Sequence, residues 1–448
     1  MSIVTIQVGQ CGNQIGGQLF NTVMEDAHTS YPNVSKNIQR DYMQDTLETF
    51  FDVSPTKSED DEVPKARAVM VDMEPKVISQ TMQDAKKSGK WTYDPKQSFC
   101  QKRGSGNNWA NGFCGHGPKA RDSVMNLVRR EVEKCDHFGG FLNLMSLAGG
   151  TGSGVGAYVT QCLRDEYPNS FIMNQVVWPY NTGEVIVQNY NAVLTLSHLY
   201  QSSDAILVME NDGIQKICSQ LMNIKKISFR DMNRVISHQL ASVLQPVQLY
   251  GGGRQLSNRL GRLLEHLVPH PEYKLLTLRN IPQMSEASIA YTVFQWHGML
   301  KHLRQMLIAN AAMEEGIDWH VRVNSAGGLA AHHNKSVSNL LVLRGKDINT
   351  TNIAPFREEK LYTSWVPKDS CLAVWQHDHP FHNYEKSAAL LSNSQSPVVA
   401  LDGIVGKAWQ MFASRAYVHQ YLKHGLAEED FVDSFAGLEQ VIRSYQAL

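Results

Sequence analysis

Short apolar runs alternate with stretches of helical periodicity through the first half of the chain. Ile3 to Val8 is such a run and stops at Gly9; beyond it Ile15, Leu19, Phe20, Val23 and Met24 recur at the spacing of one helix face. Ala66 to Val71, Phe141 to Leu147, Phe171 to Val177 and Ile206 to Met209 read as further buried strands, with helices predicted over Asp122 to Cys135 and Val185 to Leu199. Strands separated by helices predict a parallel sheet covered on both faces, with ligands bound outside the carboxyl ends of the strands. Residues 29–63 are polar, hold Pro32 and Pro55, and carry the run Ser58-Glu59-Asp60-Asp61-Glu62, so they read largely as a solvated surface loop.

From about Gly213 to Leu249 the pattern turns helical, with Val235, Ile236, Leu240, Val243 and Leu244 on one face, until Gly251-Gly252-Gly253 breaks it. Residues 257–380 mix helices (Glu286 to Leu307) with strand candidates (Tyr273 to Leu278, Leu340 to Leu343, Leu372 to Gln376), a second α/β unit. The last 50 residues are helical, first over Val405 to Phe412 and then through Phe431, Phe435, Leu438, Ile442 and Tyr445.

Composition narrows the function classes. A formal net charge of -1 argues against a nucleic-acid protein, since phosphate binding wants a basic excess. No apolar run approaches the roughly 18–20 residues of a membrane helix. The opening Met1-Ser2-Ile3-Val4-Thr5-Ile6 has no basic region or cleavage site, so no signal peptide is expected. Seven cysteines are scattered with no CxxC pair, which predicts neither a disulfide framework nor a metal site and makes a reducing cytoplasm the expected compartment.

Four loops carry candidate chemistry. Ala148-Gly149-Gly150-Thr151-Gly152-Ser153-Gly154 lies between a strand and a helix, where backbone N–H groups can cradle phosphates at a helix N-terminus. No Lys precedes Thr151 or Ser153, so it is not a Walker A loop, and it follows the third strand candidate where a dinucleotide fingerprint would follow the first. Gly9-Gln10-Cys11-Gly12-Asn13-Gln14-Ile15-Gly16 opens the first helix in the same context. Val71-Asp72-Met73-Glu74-Pro75 sets two carboxylates at a strand end, where hydrated Mg²⁺ could be held through its waters. Gly104-Ser105-Gly106-Asn107-Asn108-Trp109 is a third glycine- and amide-rich loop. Any one of them is ordinarily a cap or a turn; the four together point to a nucleotide.

The phosphate loop resembles the tubulin signature Gly-Gly-Gly-Thr-Gly-Ser-Gly with Ala148 in place of its first glycine, and Gly9 to Gly16 is similar to the opening of eukaryotic tubulins. The similarity runs through Leu267-Val268-Pro269 to the helical C-terminus. Within the family, Trp178-Pro179-Tyr180-Asn181-Thr182-Gly183-Glu184, the basic residues after Gly253 and the lack of an acidic tail resemble the delta class.

The resemblance implies a tubulin-type fold divided into a nucleotide-binding GTPase domain (1–212), a core helix region (213–250), an intermediate α/β domain (251–385) and a C-terminal helical region (386–448). It implies GTP or GDP with Mg²⁺. Gln10, Cys11 and Gln14 would line the phosphate and ribose side. Asp72 and Glu74 would face Mg²⁺, Gly106 and Asn107 would bound the γ-phosphate, and Gly149, Gly150, Thr151, Gly152, Ser153 and Gly154 would wrap the phosphates. Asn211 and Asn233 match the asparagines that read guanine, an amide offering both donor and acceptor. Phe229 stands where the family stacks a tyrosine on the base. Glu184 joins the nucleotide-binding set, and Gln188 replaces a glutamate that accepts from the ribose.

A second departure concerns hydrolysis, which tubulins complete when the next subunit's loop supplies an acid. Counting back from Leu267-Val268-Pro269, those positions fall on Arg262 and Arg259, and neither can act as a base. Both are expected at a contact face, on a subunit that does not trigger hydrolysis in its neighbour and itself turns over slowly at most.

The expected role is a cytoskeletal subunit in centriole and basal-body triplet microtubules and in cilium formation. Its implied partners are epsilon-, alpha- or beta-class tubulins and centriolar proteins, with no nucleic acid and no membrane. The alternative within the family is a divergent adaptor in a soluble complex, outside the lattice. A nucleotide-dependent oxidoreductase is the competing class, but the glycine loop follows the wrong strand for it. His270, His332, His333 and His377 to His382 adjoin no catalytic motif and read as surface or packing residues. Because Tyr445-Gln446-Ala447-Leu448 ends the sequence without acidic residues, tail glutamylation and detyrosination are not expected.

Overall fold

In the computed structural model, which describes residues 1–53, 63–183, 185–251, 258–289, 291–323 and 333–448, Ser2–Val8 is a strand buried along its whole length. It lies inside a six-stranded parallel sheet ordered Ser98–Cys100, Ala68–Asp72, Ser2–Val8, Phe138–Ser146, Ile172–Trp178, Ala205–Glu210. Helices cover both faces of such a sheet, so its strands read as continuous apolar runs and not as alternating ones. On one face Val4, Ile6, Val69 and Val71 pack with Val124 and Val128 of helix Gly117–Glu133 and with Val159 and Leu163 of helix Gly156–Glu166. Helix Gln188–Ser202 is buried on nearly every side and packs against helices Val398–Ala413 and Glu428–Gln446. These elements belong to one compact unit, Met1–Asn21, Leu47–Asn211 and Val398–Gln446.

The strand order reverses at Ser2–Val8. The chain first adds Ala68–Asp72 and Ser98–Cys100 on one side, then returns to the other side with Phe138–Ser146. A crevice opens at such a switch point, at the carboxyl ends of the strands that flank it.

The second unit comprises Thr22–Thr46, Asp212–Pro397 and Ala447–Leu448. Its long helix, Phe229–Leu244, starts at a reciprocal cap in which Ser228 Oγ accepts from the Asp231 N–H and Asp231 accepts from the Ser228 N–H. Its mixed sheet runs Leu275–Ile281, Lys386–Ser394, Ser336–Gly345, Leu372–His377, Gln248–Leu249.

One expectation needs correction. Residues 29–63 are not mainly a loop: Lys36–Phe50 is a helix, and Phe51–Asp52 pairs with Lys65–Ala66. Its buried side chains are Tyr42, Thr46, Thr49 and Phe50, a face too polar to register as hydrophobic. The run 58–62 lies outside the described residues, as do Gly252 and Gly253. The helices expected from Glu286 to Leu307 are Glu286–Ile289 and Trp296–Ile308. Lys386–Ser394, unmarked by its small residues, is a strand paired on both edges. Among the described residues no helix is long and apolar enough to cross a membrane.

Candidate functional site

Strand Ser2–Val8 passes directly into helix Gly9–His28. The junction residue Gly9 has φ +73°, and a Cβ there would stand 2.9 Å from the Gly152 amide nitrogen. Only glycine allows both the left-handed turn and that approach, so the opening of the first helix lies against the 148–154 loop. Gln10 is exposed on the first turn, while Cys11 and Gln14 are half-buried. Burial pushes the Cys11 thiol up to about 12, so it stays protonated near neutral pH. Asn13 is buried and donates to the carbonyls of Gly9 (2.9 Å) and Val71 (3.2 Å), tying this helix to the acidic strand end. Its Oδ1 has no partner among the described residues.

Asp72 closes strand Ala68–Asp72 and is nearly buried, accepting from the Met73 N–H at 2.7 Å. Burial, reinforced by the Glu74 charge, raises its carboxyl from 3.8 to about 6 even though backbone donors oppose the shift. Glu74 is exposed at the start of helix Pro75–Ser88, and a Cβ on Gly104 would fall 2.5 Å from its Oε1. The acidic loop and the 104–109 loop are therefore in contact. Two carboxylates make no complete metal shell, and no cluster of three or more ligating side chains occurs among the described residues.

In the 104–109 loop Gly106 (φ +60°) and Asn107 (φ +53°) are successive left-handed residues. Ser105 Oγ lies 3.1 Å from Thr151 Oγ1. Glycines of the 148–154 and 104–109 loops fall into two groups. Gly150 and Gly154 are buried where a Cβ would meet the backbone of Asn108 at 2.7 Å and the Trp109 carbonyl at 2.3 Å. Gly149 has only Asn107 Oδ1 at 3.7 Å, and nothing lies within 4 Å of a Cβ on Gly106. The first group lets the loops touch; the second leaves backbone open to a ligand. Thr151 to Val155 wind into a wide turn continuous with helix Gly156–Glu166, with Ser153 Oγ bonded to the Gly149 carbonyl.

Asn191, which the sequence did not single out, fastens these loops together. Its Nδ2 donates to the carbonyls of Asn107 (2.9 Å) and Ala148 (2.8 Å), and its Oδ1 accepts from the Trp109 N–H (3.0 Å) and the Tyr421 hydroxyl (2.6 Å). Asn13 and Asn191 share one signal, an amide inside an otherwise apolar helix face.

Asn211 stands half-buried immediately after strand Ala205–Glu210, on the same carboxyl edge. Gln188 is buried and donates to the Tyr180 carbonyl at 2.8 Å, so its amide group is committed to the 180–183 turn. Glu184 lies outside the described residues. In the second unit Phe229 and Asn233 are one turn apart on the first turns of helix Phe229–Leu244; Asn233 is buried, whereas the Phe229 ring is 53% exposed.

Arg259 and Arg262 part company. Both sit on helix Arg259–Leu267, but Arg259 is 5% exposed and its Nη1 lies 2.6 Å from Asp45 Oδ2. The expectation of Arg259 on a contact face is therefore corrected: a helical turn carries it inward to a carboxylate more than two hundred residues earlier in the chain. Arg262 is exposed. His377 and His379 are buried, and His379 stacks on Tyr42 at 3.9 Å between ring centroids. His332 lies outside the described residues.

Residues 2–219 match the profile of the Tubulin/FtsZ family, GTPase domain. The chain is 56% identical to the tubulin delta chains of Macaca fascicularis, over 99% of both chains, and of Mus musculus, over 100% of both. The human tubulin delta chain is likewise 56% identical over 99% of both. A domain of this description implies guanine nucleotide binding. The chain thus belongs to the Tubulin/FtsZ family, as a tubulin of the delta class.

Proposed function

We propose that the chain holds GTP or GDP with Mg²⁺ at the carboxyl edge of its parallel sheet and serves as a structural subunit of centriolar and basal-body microtubules. One observation carries the nucleotide reading: the loops 9–16, 71–74, 104–109 and 148–154, distant in sequence, touch one another at the switch point of the sheet. Three features there suit a phosphate–magnesium group. Asn13 Oδ1 has no partner among the described residues, the backbone at Gly106 and Gly149 is open, and Asp72 carries a carboxyl that a cation would stabilise.

Gln10, Cys11, Gln14 and Gly149 to Gly154 are assigned to the phosphates, and Gly106 and Asn107 to the γ-phosphate. Asp72 and Glu74 are assigned to Mg²⁺ through its waters, the ion supplying charge neutralisation to the phosphates. Asn211 and, in the second unit, Asn233 and Phe229 are assigned to the base on the chemistry of amide and ring and on the family resemblance. Gln188 is assigned to the ribose, from which its carbonyl can still accept while its Nε2 holds the Tyr180 carbonyl, and Glu184 completes the set. Arg262 is assigned to a contact face that offers a neighbour a cation and no base.

The test is nucleotide recovery. Guanine nucleotide should be released when the purified protein is denatured. Asn211→Ala should weaken guanine binding by about 1–3 kcal/mol, because a buried donor or acceptor is left unpaired. Unchanged discrimination between GTP and ATP in that variant would reject the assignment.

The delta-class relationship supports the centriolar role, with other tubulins, whether epsilon-, alpha- or beta-class, and centriolar proteins as partners. Removing the protein from ciliated cells should deplete triplet microtubules in electron micrographs. Intact triplets and normal cilia would instead favour the soluble adaptor.

A further inference from the structure

Helix Trp296–Ile308 and two later segments of the second unit enclose a cleft of about 630 Å³, the size of a ligand site and separate from every loop discussed above. Its floor is apolar: Leu300, Ile308, Val323 and Phe356 line it and are buried. Its rim is basic. Lys301 and Arg322 are exposed there with no carboxylate partner among the described residues. The lining acid Glu358 is already neutralised by Arg304, whose Nε also donates to the Pro355 carbonyl at 2.9 Å.

Trp319 stands at the opening, 45% exposed, with the Lys301 ammonium 5.4 Å from its ring centroid. It is held there, since Gln305 Nε2 donates to the carbonyls of Asp318 (2.8 Å) and Val321 (2.9 Å) on either side of it. An exposed tryptophan fixed over an apolar floor, between cations that no carboxylate among the described residues neutralises, is an anchor site with a charge preference.

We propose that this cleft binds an acidic peptide segment, seating an apolar side chain on the Leu300–Phe356 floor beside Trp319 and turning carboxylates to Lys301 and Arg322. Complementary charge selects the occupant. Lys301 and Arg322 meet carboxylates as rim charges, where they set encounter and specificity. A nucleic acid is disfavoured because phosphates pressed on an apolar floor would be desolvated without enough donors to satisfy them.

The probe is a fluorescein-labelled synthetic peptide of alternating Glu and Leu, titrated against the full chain by anisotropy. A Glu/Ser peptide, a Lys/Leu peptide and a single-stranded oligonucleotide are run beside it. Saturable binding of the Glu/Leu peptide is expected, stronger than for the other three. It should weaken about tenfold or more in Lys301→Glu/Arg322→Glu and on raising salt, with the unfolding midpoint of that variant unchanged. Trp319→Ala should weaken it without altering the salt dependence. No saturable binding to the wild type, undiminished binding to the charge-reversed variant, equal binding of the Glu/Ser peptide, or preference for the oligonucleotide would each overturn the proposal.

Discussion

Two buried carboxylates, one in each unit, sit in opposite circumstances. Asp26 in the second unit is 1% exposed and fully engaged. It accepts from the Tyr42 hydroxyl at 2.5 Å, Gln245 Nε2 at 3.0 Å and the His382 N–H at 2.9 Å. Tyr42 is in turn stacked on His379, and the nearby buried Arg344 donates to the carbonyls of Ser242, Gln245 and Pro246. Asp72 in the first unit is 6% exposed and, among the described residues, takes backbone N–H groups from its own turn, at Met73 and Glu74. Burial holds its carboxyl up near 6 against the pull of those two donors. Burial has similar depth in the two places, and the number of donors aimed at the carboxylate separates them. A satisfied buried acid holds a fold together; one left short of donors at a strand end stores electrostatic demand for a cation.

The comparison is broken most severely at Asp26. Asp26→Ala strands the Tyr42 hydroxyl, the Gln245 amide and the His382 N–H in a buried site, and is expected to cost about 3–5 kcal/mol. A urea unfolding series reads the loss directly, and a change below about 1 kcal/mol would show that water replaces the network.

Asp72→Asn should act in the opposite direction on the nucleotide-free protein. The native pKa of Asp72 lies above its ordinary value of 3.8, near 6. The native state therefore binds the extra proton, and the associated stability is fully present below about pH 4 and lost as pH rises through 6. Ionisation at pH 7 costs on the order of 2–3 kcal/mol, which Asn avoids while still accepting from Met73. The variant should be more stable than the wild type at pH 7 and equal to it near pH 4, with weaker Mg²⁺-dependent nucleotide retention. Parallel stability–pH curves for the two proteins would count against the unmet-demand reading.

The arginines of helix Arg259–Leu267 repeat the contrast with the smallest expected effect. Arg262 is exposed, so Arg262→Glu should alter stability by no more than about 0.5 kcal/mol. Its consequence is expected in assembly, because Arg262 is assigned above to a contact face. Single-turnover hydrolysis in complexes with a partner tubulin should be faster with Arg262→Glu than with the wild type; equal rates would remove Arg262 from the contact-face proposal.

The elements easiest to read were those whose burial is apolar. Ile3 to Val8, Phe141 to Leu147 and Phe171 to Val177 coincide within a residue with strands whose faces are both covered, so their runs are unbroken and hard to mistake. In the second unit Val235, Ile236, Leu240, Val243 and Leu244 share the buried face of Phe229–Leu244, behind a Ser228–Asp231 cap. Helix Lys36–Phe50 escaped because two of its core contacts are threonines: Thr46 Oγ1 bonds the Tyr42 carbonyl and Gln245 Oε1. Burial by hydrogen bonding leaves no hydrophobic period to detect.

The sequence alone determined the alternation of strands and helices, the glycine and acidic loops at strand ends, and the family those loops resemble. All of these are local: dihedral freedom at glycine, apolar periodicity and the residue types a phosphate or cation needs. Only the tertiary structure decided which loops meet, that Gly150 and Gly154 serve contact while Gly106 and Gly149 stay open, and that Asn13 and Asn191 lock the set together. It also decided that Arg259 turns inward to Asp45 while Arg262, three residues on, faces out. Whether a polar side chain is a strut or a site depends on partners that come from distant parts of the chain. Spacing along the sequence carries no record of how many donors will surround it.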